Sequence, residues 1–271
     1  MAAPPSTRSA RARAPELATE RKGRTGPVLV LAHGFTQTRR TWGALAEDLA
    51  ADHRLVLVDL PGHGGSADVA ADLVAGADLL AVAGGSGSYL GYSMGGRFCL
   101  HLALAHPELV DRLVLVSATA GIADAGERAT RRAADDALAD ELDPPGADPG
   151  RAADRRDAFL RRWLAQPLFA SLPAEADALA ERRRNTASGL ASSLRLAGTG
   201  TQRPLWAELG TLAMPVLVVT GADDAKFDAV AAQMVSAIGA NATHVRVPGA
   251  GHAVHLERPG AVAAAVRAFG A

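Results

Sequence analysis

Short apolar runs alternate with longer helix-patterned stretches over most of this chain, and that alternation limits the folds open to it. Residues 28–32 (VLVLA), 55–58 (LVLV), 89–92 (YLGY), 113–116 (LVLV) and 216–219 (VLVV) are nearly continuous apolar runs, and 243–247 (THVRV) is a sixth strand-like segment. Each is too short for a stable helix and suits a strand buried on both faces. Helical text occupies 42–51, 68–83, 95–106, 227–238 and 261–269. Strand and helix in turn imply βαβ units, hence an α/β fold with a mostly parallel central sheet and helices on both faces. The 271 residues fit one such domain, and the lone cysteine, Cys99, excludes a disulfide framework and a thiolate zinc site.

The alternation stops between about residues 120 and 210, where no strand-like run occurs. Helical segments are expected at 127–142, 151–165, 174–185 and 189–196, with a Pro/Gly/Asp loop at 143–150. This reads as a helical lid inserted between the fourth and fifth strands. Residues 1–26 are rich in Ala, Arg, Pro and Ser and are expected to form a disordered basic tail, with the folded domain spanning 27–271.

Charge and hydropathy remove other classes. A net charge of −1 lacks the footprint of a nucleic-acid binder. No apolar run reaches the ~18 residues needed for membrane insertion. The N-terminal stretch has no apolar core of a secretory signal, so a cytoplasmic location is expected. Lysine occurs only at positions 22 and 226, so nearly all positive charge is arginine.

The chemistry centres on Gly91-Tyr92-Ser93-Met94-Gly95, a G-x-S-x-G motif between a predicted strand and a predicted helix. The turn is so tight that neighbouring side chains clash, which strains the serine backbone and pushes its hydroxyl into the cleft above the sheet. A serine nucleophile or base needs a histidine, and the histidine an orienting carboxylate. Asp223 and Asp224 follow the fifth strand and His252 the sixth, just past the strand ends where ligands bind in open α/β sheets. Asp224 is preferred for its spacing from Gly221; His255 is the nearest rival to His252 and suits an anchoring role. Backbone N–H groups of Met94 and Phe35 are the expected oxyanion donors. His33 is expected to tie its loop together, with the 59–66 loop as scaffold.

These features together resemble the α/β-hydrolase superfamily from Pro27 to the C-terminus. A narrower likeness lies outside the triad. The elbow continues Gly95-Gly96-Arg97. The lid carries 159–169 (FLRRWLAQPLF), Arg182, Gly189-Leu190-Ala191, Gly198-Thr199-Gly200-Thr201-Gln202 and Leu205-Trp206, and the acid loop ends Lys226-Phe227. This set resembles the 2-succinyl-6-hydroxy-2,4-cyclohexadiene-1-carboxylate synthases of menaquinone biosynthesis, with one departure at Ala222, where that family commonly has Glu.

The resemblance implies a lyase that expels pyruvate from an enolpyruvyl cyclohexene without metal or organic cofactor. It implies Ser93, Asp224 and His252 as catalytic residues. Tyr92, Arg97, Arg131, Trp163 and Arg182 are then substrate contacts. Arg128 is an alternative to Arg131, and Arg183 and Arg184 leave the register of Arg182 open. The expected partner is a small anionic carboxylate substrate, since arginine forks bind carboxylates bidentately and would otherwise repel one another. On this reading Ser93, deprotonated with help from His252, removes a ring proton. Two other readings share the motif: a serine hydrolase of an ester or carbon–carbon bond, and a non-catalytic binding protein.

Overall fold

The computed structural model describes residues 15–173 and 179–271. Seven strands form one sheet: β1 (Thr19–Lys22), β2 (Val28–Ala32), β3 (Arg54–Val58), β4 (Gly87–Tyr92), β5 (Val110–Val116), β6 (Val216–Gly221) and β7 (Ala242–Val247), in spatial order β1-β3-β2-β4-β5-β6-β7. Strands β2 to β7 run parallel, while β1 pairs antiparallel with β3, Thr19 opposite Val58 and Lys22 opposite Leu55. The chain is an α/β-hydrolase fold.

Side chains on successive strand residues face opposite ways. Val30 and Ala32 thus join one core, and Leu29 and Leu31 the other. The first core is covered by α2 (Leu73–Gly84), α3 (Met94–Ala105) and α8 (Ala225–Ile238). The second is covered by α1 (Gly43–Leu49) and α10 (Pro259–Phe269), with the one-turn α9 (Val254–Glu257) beside them. Burial on both faces is why these strands read as continuous apolar runs.

Strand β1 corrects the expectation that residues 1–26 form a disordered tail. Residues 19–22 (TERK) have no apolar run because β1 is a sheet edge, exposed or half-buried throughout, so the pattern that marks buried strands is missing. Residues 1–14 lie outside the described residues.

Between β5 and β6 the chain forms α4 (Ala125–Leu142), α5 (Ala152–Leu164), α6 (Leu179–Arg182) and α7 (Ala187–Ala197), with no strand among the described residues. Residues 174–178 of the predicted 174–185 helix lie outside the described residues. This insertion has its own small core of Ala139, Leu142, Phe159, Leu160, Leu190 and Leu194, against which Phe35 packs. The segment in and just after α6 is bolted to the loop after β2: Asn185 Nδ2 donates to the Thr36 carbonyl at 2.7 Å, and Thr38 Oγ1 to Glu181 at 2.8 Å.

The chain steps from β2 outward to β3, then returns to β4 on the other side of β2. A reversal of this kind leaves a crevice at the carboxyl ends of the two flanking strands, where ligands bind in such sheets. Helix α3 starts directly in that crevice, and close packing sets its place. A Cβ added to Gly95 would lie 1.9 Å from the Ala32 carbonyl oxygen, and one on Gly91 would lie 2.5 Å from Gly95 backbone atoms. Gly95→Ala forces backbone apart, and we expect it to destabilise the protein by about 3 kcal/mol. A urea midpoint equal to that of the wild type would contradict this packing argument.

Candidate active site

Ser93 directly follows β4 and stands at the N-cap of α3 in a left-handed conformation, φ +50°, that a non-glycine residue rarely holds. Its amide is fixed by the Val116 carbonyl at 2.8 Å. His252 follows β7, with Nε2 3.3 Å from Ser93 Oγ and Nδ1 2.8 Å from Asp224 Oδ2. Asp224 also caps α8, accepting from the Phe227 amide at 3.1 Å. Burial alone would raise its carboxyl, but the hydrogen bonds from His252 and Phe227 outweigh burial and hold it below the usual aspartate value. Asp223, the sequence alternative, is exposed.

The loop after β2 is held by two buried histidines. His33 Nδ1 donates to the Gly34 carbonyl at 2.8 Å, and its Nε2 accepts from Leu60 N–H at 3.1 Å. His63 repeats the pattern, with Nδ1 to the Pro61 carbonyl at 2.9 Å and Nε2 accepting from Thr36 N–H at 3.3 Å. An accepting ring nitrogen requires the neutral tautomer. Burial agrees, pushing His33 down to about 4 and His63 down to about 3. Between these anchors, the Phe35 amide has no acceptor among the described residues, and neither has that of Met94.

A cavity of about 830 Å³ opens beside Ser93 and His252, walled by Met94, Arg97, Arg131, Trp163 and Lys226 among others. Arg97 is buried, and its Nη1 donates to the Gly198 carbonyl at 3.2 Å. No carboxylate forms an ion pair with it among the described residues. Burial pushes its guanidinium down to about 10, with Arg131 adding to the shift and Asp135 opposing it, so it is charged at neutral pH. Arg131 is half-buried and pairs with the fully buried Asp135 at 2.7 Å. Arg128 instead donates to the Ile122 and Ala123 carbonyls and lies off the cavity wall.

A second, small pocket adjoins Ser93, lined by Tyr92, Gln37, Trp163, Phe169 and Arg182. Arg182 is buried and its Nη1 donates to Thr36 Oγ1, whereas Arg183 and Arg184 are exposed and paired with Asp157 and Glu181. Tyr92 packs its ring against His252 and His255, with centroids 5.5 and 4.1 Å apart, and burial raises its hydroxyl pKa. Trp163 stacks on Phe159 and meets Phe35 edge-on. His255 is buried against Trp42 and Gln37, 3.2 Å from Gln37 Nε2, and does not reach Ser93.

Several residues that shape the site escaped the sequence reading. The Glu257 carboxylate accepts from the Gly251 and Ala253 amides at 2.7 and 3.0 Å, clamping the turn that carries His252. Asn185 joins lid to loop by accepting from Gly64 N–H as well as donating to Thr36. The Gly198–Gly200 segment lies against α4 so closely that a Cβ on Gly200 would sit 2.2 Å from the Arg132 amide, which brings the Gly198 carbonyl to Arg97. These are pairings between distant segments, and only the glycine motif left a trace in the sequence.

Such a site, at the crevice of such a sheet, defines a class. Residues 27–259 match the family model described as the alpha/beta hydrolase fold, and the chain belongs to that superfamily. Within it the chain belongs to the 2-succinyl-6-hydroxy-2,4-cyclohexadiene-1-carboxylate synthase family. It is 35% identical to the synthase of that name from Klebsiella pneumoniae strain 342, over 89% of this chain and 93% of the relative. It is 34% identical to the one from Enterobacter sp. strain 638, over 90% and 92%. The solved structure of MenH from S. aureus superposes with a TM-score of 0.82 at 29% identity, covering 93% of this chain and 97% of that one.

The tautomers of His33 and His63 make the site's frame acid-sensitive. Both have folded-state pKa values below the ordinary 6.5, so between pH 6.5 and about 4 the unfolded chain takes up protons that the folded chain refuses. Stability is therefore full above pH 6.5 and falls as pH drops, by about 1.4 kcal/mol per pH unit for each histidine. Denaturation at pH 7.0 and pH 5.0 checks this; a flat profile would contradict neutral anchoring.

Proposed function

We propose that this chain eliminates pyruvate from 5-enolpyruvoyl-6-hydroxy-2-succinyl-cyclohex-3-ene-1-carboxylate, giving 2-succinyl-6-hydroxy-2,4-cyclohexadiene-1-carboxylate for menaquinone biosynthesis. Family membership supports the lyase reaction. The observation that carries the substrate class is Arg97, a buried cation beside the Ser93–His252 pair with no carboxylate ion pair of its own among the described residues. A buried charge is expensive unless paired, and an anionic ligand pairs it. Arg131 on the same wall and Arg182 in the adjoining pocket suit the further carboxylates of such a substrate.

In this reading Asp224 holds the imidazole so that Nε2 takes the Ser93 proton. The Ser93 oxygen then removes the ring proton, and its electron pair moves through the succinyl carbonyl as an enolate. The pair returns to form the C2=C3 double bond, the C3=C4 pair shifts to C4=C5, and the C5–O bond breaks, releasing enolpyruvate, which becomes pyruvate on protonation. The Phe35 and Met94 amides stabilise the enolate oxygen, electrostatic help of the kind usually largest in such reactions. Tyr92 and Trp163 wall the ring. A cytoplasmic location belongs to the same proposal, because a substrate with several carboxylates does not cross a bilayer unaided.

The same two amides beside an elbow serine would also serve acyl transfer, which is the hydrolase reading. Kinetics separate the two. Arg97→Ala should lower kcat/KM for pyruvate release about 100-fold while leaving p-nitrophenyl acetate hydrolysis little changed. Ser93→Ala should lower kcat by about a thousandfold. Undiminished pyruvate release in Arg97→Ala would sink the carboxylate clamp, and undiminished release in Ser93→Ala would sink the base.

A further inference from the structure

Three non-glycine residues have left-handed backbone among the described residues: Thr36 at φ +67°, Ser93 at +50° and Ser117 at +47°. They follow β2, β4 and β5, three neighbouring strands, so all stand on the carboxyl edge of the sheet. Each carries a hydroxyl. Such backbone is unfavourable for a side-chain-bearing residue and persists where its surroundings impose it. In the first two residues the hydroxyl is engaged: Thr36 Oγ1 with Arg182, Ser93 Oγ with His252.

Ser117 departs from that pattern. It is fully buried, and its Oγ has no hydrogen-bond partner among the described residues. Its amide donates to the Val219 carbonyl at 2.9 Å, which clamps its backbone to β6. The residue lines the large cavity together with Ser93, Met94 and Arg97. Glycine at this position would remove both the backbone strain and the unpaired hydroxyl. The protein keeps serine instead, on the wall of the cavity and with its hydroxyl unpaired among the described residues.

We propose that Ser117 is a substrate-contact residue whose Oγ–H donates a hydrogen bond to an anionic oxygen of the ligand bound beside Arg97. A carboxylate accepts but does not donate, so the hydroxyl acts as donor, and it selects for an acceptor on the β5 side of the cavity. The assignment rests on the anionic-substrate reading above and adds a determinant of orientation to the arginines.

Melting and steady-state kinetics of wild type, S117A and S117G test it. S117A should keep or raise the melting temperature, and S117G should raise it by about 2 °C. Both should raise KM for pyruvate release about tenfold while kcat stays within about twofold. Unchanged KM in both variants would overturn the proposal. So would a fall in melting temperature in both, since it would mean that the hydroxyl supports the fold. Absence of pyruvate release by the wild type would instead refute the lyase reading. The contact is then decided by phthalate, a ring bearing two carboxylates, read as a rise in melting temperature. A larger rise in wild type than in S117G supports the contact; an equal rise, or none, overturns it.

Discussion

The contact on which the site depends is the approach of Gly95 to the carbonyl of Ala32. It lets α3 begin beneath the crevice between β2 and β4, and it leaves Ser93 no room for an ordinary backbone. From that one approach follow the height of the serine hydroxyl, the Met94 amide left without an acceptor among the described residues, and the distance to the loop that presents Phe35. The loops after β6 and β7 then need only bring Asp224 and His252 over the same edge, and parallel strands of similar length do so.

Charge is arranged around this frame in two modes. Carboxylates and histidines that hold geometry are internally satisfied: Asp135 takes Arg131 and the Gly200 amide, Glu257 takes two turn amides, and His33 and His63 each use both ring nitrogens. Among the described residues Arg97 lacks a carboxylate partner and the Ser117 hydroxyl lacks any, and both residues line the cavity. Satisfied polar groups rigidify; an unsatisfied one on a cavity wall is a candidate ligand contact.

Much of this was legible in the sequence, for physical reasons. Strands β2 to β6 are buried on both faces, so they stood out as apolar runs, and the G-x-S-x-G turn left its glycines because no other residue fits. Strand β1 was missed because an edge strand such as Thr19–Lys22 needs no apolar pattern. The spacing from Gly221 singled out Asp224, and it is Asp224 that meets His252, but the three adjacent arginines could not be separated: only packing shows that Arg182 turns inward while Arg183 and Arg184 pair on the surface. Asn185, Glu257 and Ser117 act through partners, or the lack of them, set by tertiary contact, and no local pattern announces that.

In the proposed reaction the serine–histidine pair moves a proton instead of forming an acyl-enzyme. The most direct measurement is the single-turnover rate of pyruvate release from substrate deuterated at the ring carbon that loses its proton. Proton abstraction by Ser93 predicts release slowed several-fold by deuterium. Equal rates for the two isotopologues, with a covalent adduct on Ser93, would contradict it.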